Sequence, residues 1–348
     1  MSREPLLKIT EAGLYCEAGD FHIDPWRGVD RAVITHGHAD HARGGSRHYL
    51  ASDAGRGVLR ARLGEVSLET IPYGEPRMMN GVRVSLHPAG HLLGSAQVRV
   101  EYRGEVWVVS GDYKTEPDGT CAPMEPLRCH TFITESTFGL PIYRWRPQAE
   151  IFAEINNWWR SNQERGWTSV LLAYALGKAQ RLLAGLDPGI GPILLHGSMT
   201  RLTEVYREAG VALPPTEYAT VEQSKATKGR ALVLAPPSAA SSTWIRRFQP
   251  VSVAMASGWM AIRGTRRRRA MDRGFVMSDH ADWPGLLETI RATGAEHIGV
   301  THGYTGPMVR WLGEEGLDAF VLETRFTGEA GGDEDPTSDP GEGEAAES

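Results

Sequence analysis

The stretch ITHGHADHARGG, residues 34 to 45, places four cation-binding side chains in six positions: His36, His38, Asp40 and His41. Neutral imidazoles and carboxylates at this density suit a borderline cation such as Zn²⁺, with Mn²⁺ or Fe²⁺ as alternatives. An extended loop turns alternate side chains to one side, so this spacing can serve two adjacent ions. One loop cannot fill two coordination shells, and further ligands are expected at the ends of other strands. His91 in HPAGHLLGSAQV, Asp112 in VVSGDYK and His302 in GVTHGYTG all fall there. Asp112 has two carboxylate oxygens and can touch both ions, while His302 repeats the Thr-His-Gly of the opening stretch. Glu135, closing TFITE, and His280, in VMSDHADW beside Asp279, occupy the same kind of position without being needed as ligands. A carboxylate against an imidazole fixes its tautomer and raises its basicity, which suits a general acid protonating a leaving oxygen.

Such side chains need rigid strand ends to hold them. The runs LLKIT, GLYCEAG, RAVIT, HYLAS, VSLETI, VRVSLH, AQVRVEY, EVWVVSG and HTFITE show the alternation and β-branched enrichment of half-buried strands in a sandwich. From about residue 147 the texture changes. Helical patterns in QAEIFAEINNWWRSNQERG, GKAQRLLAGL, MTRLTEVYREAG and SAASSTWIRRF alternate with the short apolar strands SVLLAY, PILLHGS, RALVLAPP and VSVAMAS, the order of a small parallel α/β sheet. After about residue 270 the site-bearing segments GFVMSDH and HIGVTHG return, with a helix in PGLLETIRATG between them. The middle block therefore reads as an insertion.

The formal charge of the 348-residue chain is -6, but residues 328 to 348 hold eight of its 43 acidic residues and no basic one. The rest keeps 35 acidic against 37 basic residues, so the balance without the tail is about +2. The tail is rich in Gly, Pro, Ser and Glu without apolar periodicity, and disorder is expected there. No stretch approaches the ~20 apolar residues of a membrane span, and the first residues lack the apolar core of a secretory signal. A cytoplasmic protein without membrane association is expected. Cys16, Cys121 and Cys129 are an odd three with no CxxC pair, which suits reduced thiols.

The string His36-x-His38-x-Asp40-His41 followed by His91, Asp112 and His302 resembles the dinuclear metal site of the metallo-β-lactamase superfamily. The α/β insertion, with Glu135 in TEST, His280 in SDHAD and His302 in THG, resembles the β-CASP nucleases. FHIDPWRGVDRAVITHGHADHARGG, AYALGKAQ, APPSAASSTWIRRF and GFVMSDHADWPGLL are similar to the bacterial ligase-associated DNA exonucleases in particular, which also resemble mRNA 3′-end processing factors. The resemblance implies an α/β fold, a four-layer αββα sandwich carrying an inserted β-CASP domain. Residues 1–146 would be the first part of the metallo-β-lactamase domain, 147–270 the insertion, 271–327 the return and 328–348 the acidic tail. It implies one metal on His36, His38 and His91 and another on Asp40, His41 and His302. Asp112 and a nucleophilic hydroxide would bridge them, and Glu135 would orient His280 as general acid. Two divalent ions are expected, Zn²⁺ first and Mn²⁺ second. A metal-dependent DNA exonuclease of repair or processing follows, with an ATP-dependent DNA ligase and a helicase as partners by family association. A histidine at position 302 resembles RNA-acting members, so an RNA-processing nuclease is the alternative.

Nucleic-acid contacts are read from charge and aromatics. Gly177 and Lys178 open a helix after LLAY, where backbone N–H groups and a lysine can receive a phosphate. Arg263 and the run Arg266, Arg267, Arg268 and Arg269 form a positive patch suited to a nucleic-acid backbone. Trp145, Trp158, Trp159, Trp244 and Trp259 offer stacking or core packing. A small-ester hydrolase has little use for an insertion large enough to clamp a polymer. A catalytically silent binding subunit would have no reason to keep all seven ligands and the Glu135–His280 pair.

Overall fold

The computed structural model describes residues 5–262 and 271–325, so the acidic tail lies outside the described residues. Alternating strands in the first third form a six-stranded sheet in chain order: Lys8–Thr10, Gly13–Cys16, Phe21–Ile23, Arg31–Val33, His48–Ser52 and Leu68–Ile71. A second sheet has seven strands. Its order is Asp318–Val321, His297–Gly303, Thr131–Ser136, Glu105–Val109, Ala96–Tyr102, Val82–Pro88 and Pro76–Met79. Chain-adjacent strands from Pro76 to Val109 pair antiparallel, whereas Thr131–Ser136 and the two C-terminal strands pair parallel. Two strands that are far apart in the chain, Thr131–Ser136 and His297–Gly303, are thereby made neighbours.

Period-two alternation decides which residues face which core. Leu14, Phe21, Ile23, Val33 and Leu50 of the first sheet share one apolar cluster with Val82, Val84, Val98, Val100 and Val109 of the second. The other face of the second sheet, including Val108, Phe132, Ile298 and Val300, packs on Leu286 and Ile290 of helix Trp283–Thr293 and on Met308 and Leu312 of helix Thr305–Glu314. Ala32, Tyr49 and Ala51 on the other face of the first sheet meet Leu59 of helix Arg56–Leu63.

Residues from Thr168 to Phe275 supply a third sheet, entirely parallel, in the order Glu217–Tyr218, Ile193–Leu195, Leu232–Ala235, Thr168–Leu172, Val251–Ala256 and Arg273–Phe275. Its central strands Leu232–Ala235 and Thr168–Leu172 are buried along their whole length and mostly apolar because both faces are covered. Ile155, Trp159, Leu182 and Leu183 of helices Gln148–Glu164 and Lys178–Gly185 pack on one face, and Ala239 and Phe248 pack on the other. Those last two belong to SAASSTWIRRF, which is not the expected α-helix but two short 3₁₀ segments, Pro237–Ser241 and Thr243–Phe248. Its hydroxyls compete for the backbone: Ser241 Oγ bonds Ser238 O and Ser242 Oγ bonds Ala239 O, and Ser242 is extended.

Trp159 has no solvent exposure and donates its indole N–H to Arg230 O at 2.9 Å, tying the first helix of this region to the sheet's connections. Trp159→Ala is expected to cost about 3–5 kcal/mol of stability. Urea unfolding checks this, and a midpoint within error of the unaltered protein would show that the cluster collapses around the gap.

Candidate metal centre

The loop after strand Arg31–Val33 is fastened by Asp24. Its Oδ1 accepts from Thr35 N at 2.8 Å and its Oδ2 from Thr35 Oγ1 at 2.5 Å, and Oδ2 also lies 2.8 Å from His41 Nδ1. Because Thr35 Oγ1 gives its proton to Asp24, it can only accept at His36 Nδ1, 3.0 Å away. His38 Nε2 faces the Leu176 carbonyl at 3.2 Å and His91 Nδ1 faces the Asp279 carbonyl at 2.8 Å. Carbonyls accept only, so these nitrogens carry the protons.

The remaining nitrogens, His36 Nε2, His38 Nδ1 and His91 Nε2, are therefore bare, and they converge. His38 Nδ1 is 3.2 Å from His36 Nε2 and 3.1 Å from His91 Nε2. Three lone pairs with no proton among them repel one another, and a shared cation removes that repulsion. Imidazole nitrogens about 2.05 Å from a tetrahedral ion stand roughly 3.3 Å apart, close to the separations here. Asp112 Oδ2 adjoins the set, 3.5 Å from His36 Nε2 and 3.9 Å from His91 Nε2. The donor set fits a divalent ion.

A second set shares Asp112. Its Oδ2 is 3.6 Å from His41 Nε2 and its Oδ1 is 3.1 Å from His302 Nδ1, so the carboxylate stands between two groups of imidazoles. Asp40 Oδ2 is 3.9 Å from His41 Nε2, half-buried and less close than the other expected ligands. Burial pulls the His41 imidazolium down, but Asp112, Asp40 and Asp24 outweigh it and hold the group up to about 10. Positive charge is what this position calls for, and a divalent ion would supply it. Burial, then the neighbouring imidazoles, keeps His36 and His91 well below the ordinary histidine range, as ligands require, and burial lowers His38 in the same sense.

His302 is aimed by an irregularity. Glu135 pairs with Thr301 but Ser136 pairs with Gly303, so His302 is an extra residue in the ladder, at φ 61°. Such a bulge re-aims a side chain. Ser136 Oγ locks it with a 2.5 Å bond to His302 O, and a Cβ on Gly303 would sit 2.3 Å from Ser136 O. Beside Asp112, Glu135 and His280 form the expected pair: His280 Nδ1 is 2.8 and 3.0 Å from the two Glu135 oxygens, and Tyr113 N donates to Oε1 at 2.7 Å.

No protein-family model matches the chain. It is 31% identical over 314 residues to a probable DNA ligase of Opitutus terrae, covering 89% of this chain and 30% of that protein. It is 33% identical over 122 residues to the endoribonuclease YSH1 of Yarrowia lipolytica, covering 34% of this chain and 14% of that protein. The chain belongs to the metallo-β-lactamase β-CASP family. It spans less than a third of the length of either relative. The crystal structure of a protein of unknown function from Enterococcus faecalis V583 matches with a TM-score of 0.59 at 11% identity, over 85% of this chain and 80% of that one. That likeness concerns the fold alone.

In this β-CASP chain the third-sheet region reaches the centre through one helix start. Leu176 orients His38, as described, and Arg181 holds two other segments. The fully buried guanidinium donates from Nη1 to Ser278 O at 3.1 Å and from Nη2 to Gly90 O at 3.3 Å and His91 O at 3.1 Å. Its Nη1 is 3.3 Å from Asp279 Oδ1, and its Nε is 2.5 Å from Asp118 Oδ2 in an ion pair without hydrogen-bond alignment. Spacing alone did not single out Arg181. A cue existed in an arginine on the apolar face of GKAQRLLAGL. Asp279, next to His280, serves this cation and not the imidazole: burial raises its carboxyl, but Lys178 and Arg181 bring it down to about 2.

Lys178 corrects the expectation of a phosphate contact. It is fully buried, with Nζ 3.6 Å from Asp279 Oδ2 and 4.9 Å from the Tyr174 ring centre. The N–H of Gly177 is taken by Gln180 Oε1 at 2.8 Å, so that helix start offers no ready anion site. Arg263, Arg266 and Arg267, with the rest of the arginine run, lie outside the described residues. Trp158 and Trp159 are core, whereas Trp145, Trp244 and Trp259 are half-buried.

Arg181→Met strands Asp118 and Asp279 without their cation and is expected to cost about 3–5 kcal/mol. The Asp279 carboxyl is lowered from 3.8 to about 2 in the fold, so its contribution is full above its unfolded value and is lost as pH falls through the folded one. The gap in urea midpoint between the two proteins should be constant above about pH 4 and narrow below it. A gap that widens on acidification would contradict the pairing.

Proposed function

We propose that this protein is a metal-dependent nuclease that hydrolyses phosphodiester bonds, acting as a DNA exonuclease in repair or processing. The observation that carries the reading is the Asp112 carboxylate, set between two groups of imidazoles and within 4.8 Å of the Glu135–His280 pair. We assign His36, His38 and His91 to one ion, Asp40, His41 and His302 to the other, and Asp112 to both. The nitrogen-rich donors favour Zn²⁺, with Mn²⁺ second. Two such ions, when bound, supply a water acidic enough to attack at neutral pH and positive charge for the phosphoryl oxygens. Glu135 keeps the proton of His280 on Nδ1 and stabilises the charged ring. The other ring nitrogen is thus the one to deliver a proton to the departing sugar oxygen.

The same reading divides the chain. Of the described residues, we assign those up to Pro147 and those numbered 276–325 to a four-layer αββα sandwich. The outer clusters under helices Arg56–Leu63, Trp283–Thr293 and Thr305–Glu314 support that arrangement. We assign residues 148–275 to the insertion, five residues past the expected boundary at 270, because Arg273–Phe275 pairs with Val251–Ala256.

DNA is favoured because the match to a probable DNA ligase runs through 89% of the chain, against 34% for the endoribonuclease. That relative's name also supports a DNA ligase as working partner, ATP-dependent and with a helicase beside it by family association. RNA is the second reading, favoured by His302 and by the endoribonuclease relatives. No described helix is long and apolar enough to cross a membrane, and the three cysteines are unpaired thiols, which supports the cytoplasm as the place of action.

The test is a panel of end-labelled single- and double-stranded DNA and RNA with Zn²⁺ or Mn²⁺. We expect stepwise shortening of DNA, abolished by chelation and by His36→Ala or Asp112→Ala. Intact cleavage in those two variants would remove the metal mechanism, and preferential loss of RNA would move the assignment to the second reading. His280→Ala should lower turnover about 10²- to 10⁴-fold with bound metal unchanged. Metal loss in that variant would make His280 a ligand.

A further inference from the structure

We propose that Trp145, Trp259 and Tyr304 form a stacking platform for one unpaired nucleobase, that of the nucleotide whose sugar oxygen departs toward His280. The inference rests on the nuclease reading and adds the part of the substrate it does not specify. Five rings meet at the seam between the second and third sheets. Phe138 and Tyr143, with no exposure, form the base of the cluster, and the half-buried Trp145, Trp259 and Tyr304 surround it. Ring centres of Phe138 and Trp259 are 4.9 Å apart, those of Phe138 and Trp145 4.8 Å, those of Tyr143 and Tyr304 6.0 Å, and those of Trp259 and Tyr304 6.4 Å.

Two contacts put this cluster on the side of His280. Trp145 donates its indole N–H to His280 O at 2.9 Å, and the Phe138 ring centre is 6.0 Å from that of His280. Tyr304 comes two residues after His302, so the platform adjoins the second candidate ion site as well. A group that hands a proton to the leaving oxygen faces the nucleotide that leaves, and the rings beside it face the same nucleotide.

A second observation separates this cluster from ordinary core. The indole N–H groups of Trp26, Trp107, Trp145, Trp158 and Trp159 each have an acceptor. That of Trp259 is enclosed and has no acceptor among the described residues. Buried donors are almost always satisfied, so one left open at the margin of a reaction centre marks a place for a ligand acceptor. A nucleobase offers both a π-face and ring acceptors. Stacking tolerates any base, which suits an enzyme that removes nucleotides in succession. A base within a duplex has both faces already covered, so the platform selects single strands or frayed ends.

The test pairs a change in the protein with a change in the substrate. Full-length protein with Zn²⁺ or Mn²⁺ is given a single-stranded oligonucleotide, intact or with an abasic nucleotide on either side of the cleaved bond. Removing the leaving-side base is expected to lower kcat/KM of the unaltered protein roughly 5- to 150-fold. Trp259→Ala and Tyr304→Ala should lose a similar factor on the intact strand and little more on the abasic one, while Trp259→Phe keeps most of the effect. An abasic penalty that is the same in all proteins overturns the platform. So does a penalty confined to the opposite side of the bond. If Trp259→Ala fails to fold by circular dichroism, Tyr304→Ala decides the matter. A wild-type protein that cleaves no oligonucleotide overturns the nuclease reading itself, whereas cleavage with additive penalties overturns the platform alone.

Discussion

A guanidinium without access to water must be surrounded by acceptors, and those around Arg181 come from segments remote in sequence. Asp118 lies on the loop beyond Asp112, Gly90 and His91 on another loop, and Ser278 and Asp279 immediately before His280. Desolvating the cation is costly and is offset only when all of these are in place together. The consequence is mutual. Helix Lys178–Gly185 is anchored to the loops that carry the candidate ligands, and those loops are held at fixed spacing by a side chain that belongs to another sheet. Lys178 adds a second buried cation on the same Asp279, which explains why that carboxylate stays ionised out of water.

Four of the inner imidazoles depend on an outer frame that settles their tautomers. Thr35 for His36, the Leu176 carbonyl for His38, the Asp279 carbonyl for His91 and Asp24 for His41 each engage the nitrogen that faces away from the centre. Outer partners of this kind fix ring orientation and raise ligand basicity. Half of them are main-chain carbonyls, which no substitution of their own side chains can remove. Asp24 sits at φ 43°, a sparsely populated conformation for a residue with a side chain, and its three contacts to Thr35 and His41 hold it there.

How much of this could be read beforehand varied with the kind of interaction. The histidines and aspartates of the candidate ligand set were legible because their residue types are scarce and their spacing is tight. Strand runs were legible through alternation, and the parallel third sheet through unbroken apolar runs such as Leu232–Ala235. Arg181 was not, since an arginine in a helix looks solvated until the fold encloses it. Lys178 misled for the same reason. The bulge at His302 could not be anticipated, because a ladder slip depends on the register of a partner strand more than 160 residues away. Helices Arg56–Leu63 and Thr305–Glu314 were missed because their arginines and glycines interrupt the apolar period, and packing beneath the sheets overrides that weak local signal.

Seen as one unit, the centre is an interface. Leu176 sets His38, and Arg181 sets the loop of His91 and the segment of His280, so three of the groups assigned to chemistry take their positions from the start of a single helix in the third-sheet region. Trp259, from that same region, meets Phe138, Tyr143 and Tyr304 across the seam. Catalytic geometry is unforgiving: a misplacement of 1 Å costs about 10²-fold in rate. A shift of helix Lys178–Gly185 against the first two sheets would move a candidate ligand, a second candidate ligand and the candidate acid at once, while also opening the aromatic cluster. Placing the third-sheet region and assembling the candidate centre are therefore not separable in this architecture, and the buried ion network around Arg181 is where the two are joined.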